Sequence, residues 1–324
     1  MSLPAVPATV TVIVPGRDVA AYAAEALDSL RAQTLPQWRA ILVDDGSTDA
    51  TTALFAEAAA SDSRFRLVRH DRPRGLGAAR NAALDLVDTP FVGFLDADDV
   101  LTPSALEVLV GSLTATGSDF AVGAYVRLRP DADGGYTPGV VQPWVMASTS
   151  PARRGTTLAE HPEASGNIVA WSKVSRIEFW RRHDLRFPEG RAYEDQIVAQ
   201  RMYTGARAFD VVPDVVVLWR ERADGSSITQ HKDALGVLTD YLEAMRAGIA
   251  VLDAAGQRAA ARARVRLILD MDVPPLIEIA RTHPDEAYRR ILGAFVRDLD
   301  ARAEEEAVAL AAGSADVRAA ARLW

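Results

Sequence analysis

The chain has 324 residues, a net charge of −8 and no cysteine. The acidic balance argues against nucleic acid or an anionic membrane as the main partner, and the missing thiols exclude disulfides, thiolate metal sites and cysteine catalysis. The composition, 49% hydrophobic and 25% charged, is that of a folded protein; no apolar run is long enough to span a bilayer, and Met1 to Thr9 does not read as a signal peptide.

Thr9 to Val14 is a β-branched run closed by Pro15-Gly16, which predicts a buried strand. Ala20 to Gln33 reads as a helix with Tyr22, Ala26, Leu27 and Leu30 on one face. A second strand is expected at Ile41 to Val43, ending in Asp44-Asp45-Gly46-Ser47, and Asp49 opens a helix to about Ala60. Phe65 to Val68 predicts a third strand and Gly75 to Val87 a helix. Phe91 to Leu95 predicts a fourth strand, ending in Asp96-Ala97-Asp98-Asp99. Strands alternating with helices imply a mostly parallel sheet with right-handed crossovers.

A helix from Pro103 to about Thr116, capped by Thr102, then leads to a strand at Phe120 to Arg127. Pro130 to Gly139 reads as a surface turn. Residues 140 to 170 lack periodicity, as functional loops often do. Helices are expected at Lys173 to His183 and Tyr193 to Thr204, followed by a strand at Val211 to Trp219. From Ala234 the pattern is wholly helical. Val237, Leu238, Tyr241, Leu242, Met245, Ile249 and Leu252 form one stripe; Tyr288, Ile291, Leu292, Phe295, Val296 and Leu299 form another. Pro274-Pro275 is expected to break the chain between them. This divides the chain into an α/β domain at 1–232, its alternation regular to about residue 100 and less so over 101–232, and a helical region at 233–324. The helical region would serve packing, an oligomer, or attachment of a second domain.

The two acidic clusters carry the chemistry. Carboxylates at the carboxyl ends of strands sit where α/β sheets bind ligands, and clustered acids call for a cation. Along an extended strand end, Asp96 and Asp98 share one side and Ala97 faces away. Two hard oxygen ligands suit Mn²⁺ or Mg²⁺, whereas Asp99 alone could cap the next helix. Asp45 could accept from a nucleotide base, and Asp44 and Asp49 read as helix caps. Arg64 to Arg80 is locally basic, and the helix opening at Gly75-Leu76-Gly77 favours an anion; Arg74 and Arg80 beside it are candidates for a diphosphate. Glu194-Asp195 opens a helix, where acids favour the positive N-terminus; alternatively, Asp195 is a general base. Lys173 and Lys232 are the only lysines.

In this order the motifs resemble the inverting glycosyltransferases of family 2, with the nucleotide-sugar GT-A fold. The matching stretches are Val12-Ile13-Val14-Pro15, Val43 to Asp49, Gly77-Ala78-Ala79-Arg80-Asn81, Phe94 to Asp99, Trp171-Ser172-Lys173, Tyr193-Glu194-Asp195 and Gly225 to Thr229 with His231. The resemblance covers roughly residues 9 to 231 and implies a nucleotide-binding half over about 1–100, an acceptor half over about 101–232, and the following roles. Pro15, Asp18, Asp45, Arg74, Arg80, Asp96 and Asp98 would bind a nucleotide-sugar donor, a UDP-sugar. Asp98 and His231 would hold Mn²⁺ or Mg²⁺, Asp195 would be the base, and Glu194, Trp171 and Lys173 would face a carbohydrate or polyol-phosphate acceptor. Arg17-Asp18 departs from the family's usual Tyr-Asn. The implied setting is cytoplasmic, or peripheral at the inner face of the membrane, in cell-envelope polysaccharide or glycoconjugate synthesis. Two rivals are a non-catalytic sugar-binding assembly module and a sugar nucleotidyltransferase, the latter weakened because Pro15-Gly16-Arg17 makes a poor phosphate-gripping loop.

Overall fold

The computed structural model describes residues 8–227 and 230–324; the expectations placed on residues 1–7 and on Ile228-Thr229 lie outside them. Aliphatic and β-branched runs form β1 (Val10–Gly16), β2 (Trp38–Asp44), β3 (Phe65–Arg69) and β4 (Phe91–Phe94). Between them lie α1 (Ala20–Arg31), α2 (Thr51–Ser61) and α3 (Leu76–Leu84). β1 is buried along its whole length, which is why it reads as an unbroken apolar run rather than an alternation.

The chain continues through β5 (Val100–Leu101), α4 (Ala105–Thr116), β6 (Phe120–Pro130), β7 (Tyr136–Pro138), α5 (Pro143–Thr149) and β8 (Arg153–Thr156). After a 3-10 turn at Pro162–Gly166 come β9 (Lys173–Arg176), α6 (Ile177–Arg182), α7 (Asp195–Gly205) and β10 (Phe209–Arg220). All the strands join one mixed, mostly parallel sheet in the order β3-β2-β1-β4-β9-β6-β10-β5, with β7 on β6 and β8 on β10. β1 to β4 pair in parallel, as do β6 and β10, while β9 runs antiparallel between β4 and β6. The long strands on both sides of β9 therefore point the same way. Their carboxyl ends share one edge of the sheet.

Four local expectations change. Lys173 stands in a strand rather than a helix, because β9 fills the gap between β4 and β6, and the helix waits until Ile177. Thr102 does not cap α4: its hydroxyl donates to the Val215 carbonyl at 2.7 Å, which ties it to β10, and the helix begins at Ala105. The segment 130–170 is more regular than its sequence suggests, holding β7, α5 and β8. Pro274 and Pro275 do not break the chain. They lie in the first turn of α10 (Val273–Thr282), directly after a π-helical turn at Ile268–Asp272, where their missing N–H groups cost little.

The remaining helices are α8 (Leu235–Ala254), α9 (Arg258–Leu267), α11 (Glu286–Glu305) and α12 (Ala312–Ala321). Both predicted stripes are used. Leu238, Leu242 and Met245 of α8 share a core with Leu292, Phe295 and Val296 of α11. Leu252, Ala260 and Ala261 of α8 and α9 belong instead to the core around the sheet.

One glycine ties α3 to the turn before α7. A Cβ on Gly77 would lie 2.1 Å from the Pro188 carbonyl oxygen. Asn81, one turn on, exchanges hydrogen bonds with the Phe187 backbone, giving 2.9 Å to its carbonyl and receiving 3.0 Å from its N–H. Gly77→Ala should therefore overpack this contact and cost about 1–3 kcal/mol, seen as a lower urea midpoint with an unchanged slope.

Candidate active site

β1 delivers Pro15-Gly16 to the sheet edge, and the two loops that follow β1 and β2 are bonded together there. Asp18, at φ +50°, accepts from the Thr48 N–H at 2.7 Å, and its own N–H donates to the Ser47 hydroxyl at 3.2 Å. Asp49 accepts from the N–H of Ala20 at 3.0 Å and of Thr51 at 2.9 Å, so it serves the starts of α1 and α2 together. Asp44 is buried and accepts from the Ser47 N–H and the Thr52 hydroxyl. Asp49 thus serves helix starts as expected, whereas Asp44, at the end of β2, bonds to a loop N–H and a side-chain hydroxyl and caps no helix.

Asp45 faces the next loop. Its carboxylate accepts from the N–H groups of Arg74 at 2.9 Å and Gly75 at 2.8 Å, and lies 2.7 Å from Nδ1 of His70. This holds Gly75, at φ +92°, where α3 begins. Asp45 thus spends much of its accepting capacity on shaping the wall it belongs to.

Opposite, β4 ends in the second acidic cluster. Asp96 and Asp98 are partly exposed while Ala97 and Asp99 are buried, the alternation expected of an extended strand end. The end of β10 clamps this turn. The Arg220 N–H donates to Asp99 at 2.8 Å, its Nε donates to the Asp98 carbonyl at 2.7 Å, and Arg222 Nε donates to the Asp98 carboxylate at 2.8 Å. Burial holds Asp98 above the usual carboxylate range, with Arg222 opposing and Asp96 adding to the rise. Burial pushes Asp99 higher still, with Asp98 and Asp96 contributing.

These elements enclose a cleft of about 500 Å³, within the size range of small-molecule sites. Pro15, Asp18, Asp45, Asp96 and Asp98 all line it, and Trp219 and Arg222 complete the side formed by β10. The sequence reading missed Trp219, Arg222 and His70. The run Trp219-Arg220-Glu221-Arg222 leaves the carboxyl end of a long strand, and the strand-end rule that singled out Asp45 and Asp96 applies equally there.

Residues with hard oxygens and an excess of negative charge suit a divalent cation, so the Asp96–Asp98 turn fits one. Among the described residues, however, no three His, Asp or Glu side chains converge in a metal-binding arrangement. His231 is exposed and joins no such group with Asp98. A cation at Asp98 would have to complete its shell with oxygens from elsewhere.

Behind Asp96 lies a buried ion network. Arg80, 1% exposed, donates to Asp96 at 2.6 Å and to Glu194 on the turn before α7. Burial works against the charge of Arg80, and Asp96, Glu194 and Asp195 outweigh it. Burial pushes Glu194 up to about 7 against the pull of Arg80. Asp195, at the first position of α7, stays partly exposed. Burial raises its pKa as well; Arg80 opposes, Asp96 adds, and Lys173 opposes.

Arg80, Arg74, Lys173 and Trp171, all expected at the site, do not line this cleft. Arg80 lies behind the cleft rather than in it, so it orders carboxylates instead of meeting a diphosphate. Arg74 is exposed at the rim, 3.4 Å from Glu189. Lys173 is 2% exposed, and its ammonium donates to the Asn167 and Val169 carbonyls and the Asn167 side chain at 2.6–2.8 Å. Three oxygens match its three N–H groups, so Lys173 pins a loop and offers nothing to an acceptor. Burial lowers its pKa to about 7, and Asp195 counters that fall. Trp171 is buried too, packed against Tyr125 at 4.7 Å and Trp219 at 6.0 Å.

Residues 11–138 match the family model described as Glycosyl transferase family 2. The chain is 31% identical over 209 residues to the succinoglycan biosynthesis protein ExoO of Rhizobium meliloti (strain 1021), covering 61% of this chain and 57% of that protein. It spans less than two thirds of the length of most of the curated relatives it matches. Among solved structures, S. aureus TarS 1-349 in complex with UDP-GlcNAc superposes with a TM-score of 0.70 at 21% identity, covering 90% of this chain and 83% of that one. The mannosyltransferase PcManGT from Pyrobaculum calidifontis, in complex with GDP-Man and Mn²⁺, gives 0.57 at 18% identity, covering 99% and 88%. The sheet order and helical C-terminal region are those of the GT-A fold shared with these enzymes.

Removing the cation of the buried network leaves Glu194 uncompensated. Arg80→Met should destabilise the fold by about 3–5 kcal/mol, the range for a broken buried ion pair, as measured by denaturant unfolding.

Proposed function

We propose that this chain, whose residues 11–138 match the glycosyl transferase family 2 model, moves a sugar from a nucleoside-diphosphate donor, a UDP-sugar, to an acceptor hydroxyl with inversion at the anomeric carbon. The observation that carries this reading is the Arg80 bridge. It couples the Glu194-Asp195 turn to Asp96, on the wall of a cleft large enough for a nucleotide sugar.

In this reading Pro15, Asp18 and Asp45 flank the nucleoside, and Asp96 and Asp98 stand beside the ribose and diphosphate. Asp195 takes the proton of the attacking hydroxyl. Its raised pKa brings it closer to neutrality than a free carboxylate, which suits a general base. Glu194, anchored by Arg80, borders the sugar. Arg222 sets a guanidinium beside the diphosphate position, where negative charge grows as the bond to the sugar breaks. Asp98 would hold a divalent cation, Mn²⁺ or Mg²⁺, which when bound would supply further positive charge against the leaving diphosphate. An α-linked donor then yields a β-linked product. Residues 1–232 carry the reaction and 233–324 support it.

The donor class is supported by the UDP-GlcNAc and GDP-Man held by the two structural neighbours, and the metal by the Mn²⁺ held by one of them. The name of ExoO supports a place in polysaccharide synthesis. No described helix is long and apolar enough to cross a membrane, which accords with work in the cytoplasm or at its membrane face.

Asp195→Asn should bind UDP within twofold of the parent and lose about 10²–10⁴-fold in turnover. Turnover near that of the parent, followed as UDP release from a nucleotide sugar, would remove Asp195 from the role. Asp98→Ala should abolish the Mn²⁺-dependent part of UDP binding in a calorimetric titration; an unchanged titration contradicts the cation assignment.

A further inference from the structure

Asp195 makes no side-chain hydrogen bond to another described residue, so its position depends on the residues around it in the chain. Each of these is held by a different body. Glu194, just before it, is held by Arg80 of the nucleotide-binding half. Gln196, just after it, accepts from Arg264 of α9 at 3.2 Å, and both side chains are buried. Tyr193, two before it, stacks on Tyr241 of α8 with ring centroids 4.1 Å apart and planes at 26°.

The turn needs such support. Tyr193 has φ +59°, in the left-handed region that a residue with a side chain enters only when its surroundings over-determine it. α8 supplies bonds as well as a ring. Asp240 accepts from the Ala192 N–H at 2.9 Å and from Arg191 at 3.2 Å, and Glu243 also accepts from Arg191. Tyr241 is fixed in turn: its hydroxyl donates to Asp272 at 2.9 Å, and Asp272 pairs with the same Arg264 that holds Gln196 at 3.3 Å.

We propose that the helical region after residue 232 is part of the catalytic apparatus, with Asp240, Tyr241 and Arg264 acting as positioning residues that hold the strained 191–196 turn and so aim Asp195 at the acceptor. The inference rests on the reading of Asp195 as the base. It assigns α8 and α9 a role beyond packing or association. Family 2 domains joined to a different C-terminal region would need another clamp on this turn.

The test uses the full chain with Tyr241→Leu, Tyr241→Phe and Asp240→Ala. Turnover is expressed per UDP-binding site, so that misfolded protein does not count. Tyr241→Leu and Asp240→Ala should each lower kcat at least tenfold while the donor KM and UDP Kd stay within twofold. Tyr241→Phe, which keeps the stacked ring, should recover at least half of the turnover. Wild-type kcat per site in Tyr241→Leu overturns the proposal, as does equal loss in Tyr241→Leu and Tyr241→Phe. Hydrogen exchange at amides 190–196 reads the clamp without reference to any reaction. It should quicken at least tenfold in Tyr241→Leu, and unchanged exchange overturns the proposal whatever the activity. Quicker exchange in a protein whose parent form turns over no nucleotide sugar would instead uphold the clamp and sink the transferase reading.

Discussion

One buried guanidinium governs the arrangement. Arg80 leaves α3 and meets Asp96, just after β4, and Glu194, on the turn before α7. Elements more than a hundred residues apart in the chain therefore share a single charge. An unpaired Arg80 or Glu194 at this depth would be far more costly than the pair, so the Asp96 edge and the Glu194-Asp195 turn form together or not at all. Gly77 and Asn81, on the same helix, bring the 187–188 backbone close enough for this to happen.

Around that charge the site is built with too many acids for its bases. Asp96, Asp98, Asp99, Glu194 and Asp195 crowd a small region, and burial holds four of them above the ordinary carboxylate range. The arginines nearby are largely committed, Arg80 to two carboxylates and the Arg220 guanidinium to the Glu25 carboxylate and the Asp98 backbone carbonyl. A pocket with such a deficit of positive charge favours a cation, and burial holds the Asp195 carboxyl above its ordinary range. Both properties suit the departure of a diphosphate from a sugar attacked by an alcohol.

What the amino-acid order discloses follows from how local each signal is. The strands leading to Asp45 and Asp96 are continuous apolar runs, and the acids follow where the runs stop, so the cleft and the fold class were legible. Lys173 was not. Its segment has the composition of a helix start, and only the vacancy between β4 and β6, set by distant residues, makes it a strand and buries its ammonium. Arg80 reads from the sequence as a diphosphate candidate, and its bond to Glu194 is not visible there, because its basic neighbours say nothing of a residue more than a hundred positions away. The helices after residue 232 were read correctly as amphipathic, but a hydrophobic stripe shows that a helix packs without showing against what. Their hold on Tyr193 and Gln196 lies in pairings that no periodicity announces.

The antiparallel insertion of β9 has a consequence for how the chain comes together. The edge of β4 that β9 covers stays unpaired until synthesis has reached Lys173, leaving an open apolar ladder on the first half of the molecule. The sheet is thus sealed from its middle, late, by a short strand that must find two partners at once. Pairings of such long range make for slow folding and a window in which the nascent half is exposed to aggregation. The seam that unites the two halves of the molecule is also its point of greatest vulnerability while it is being made.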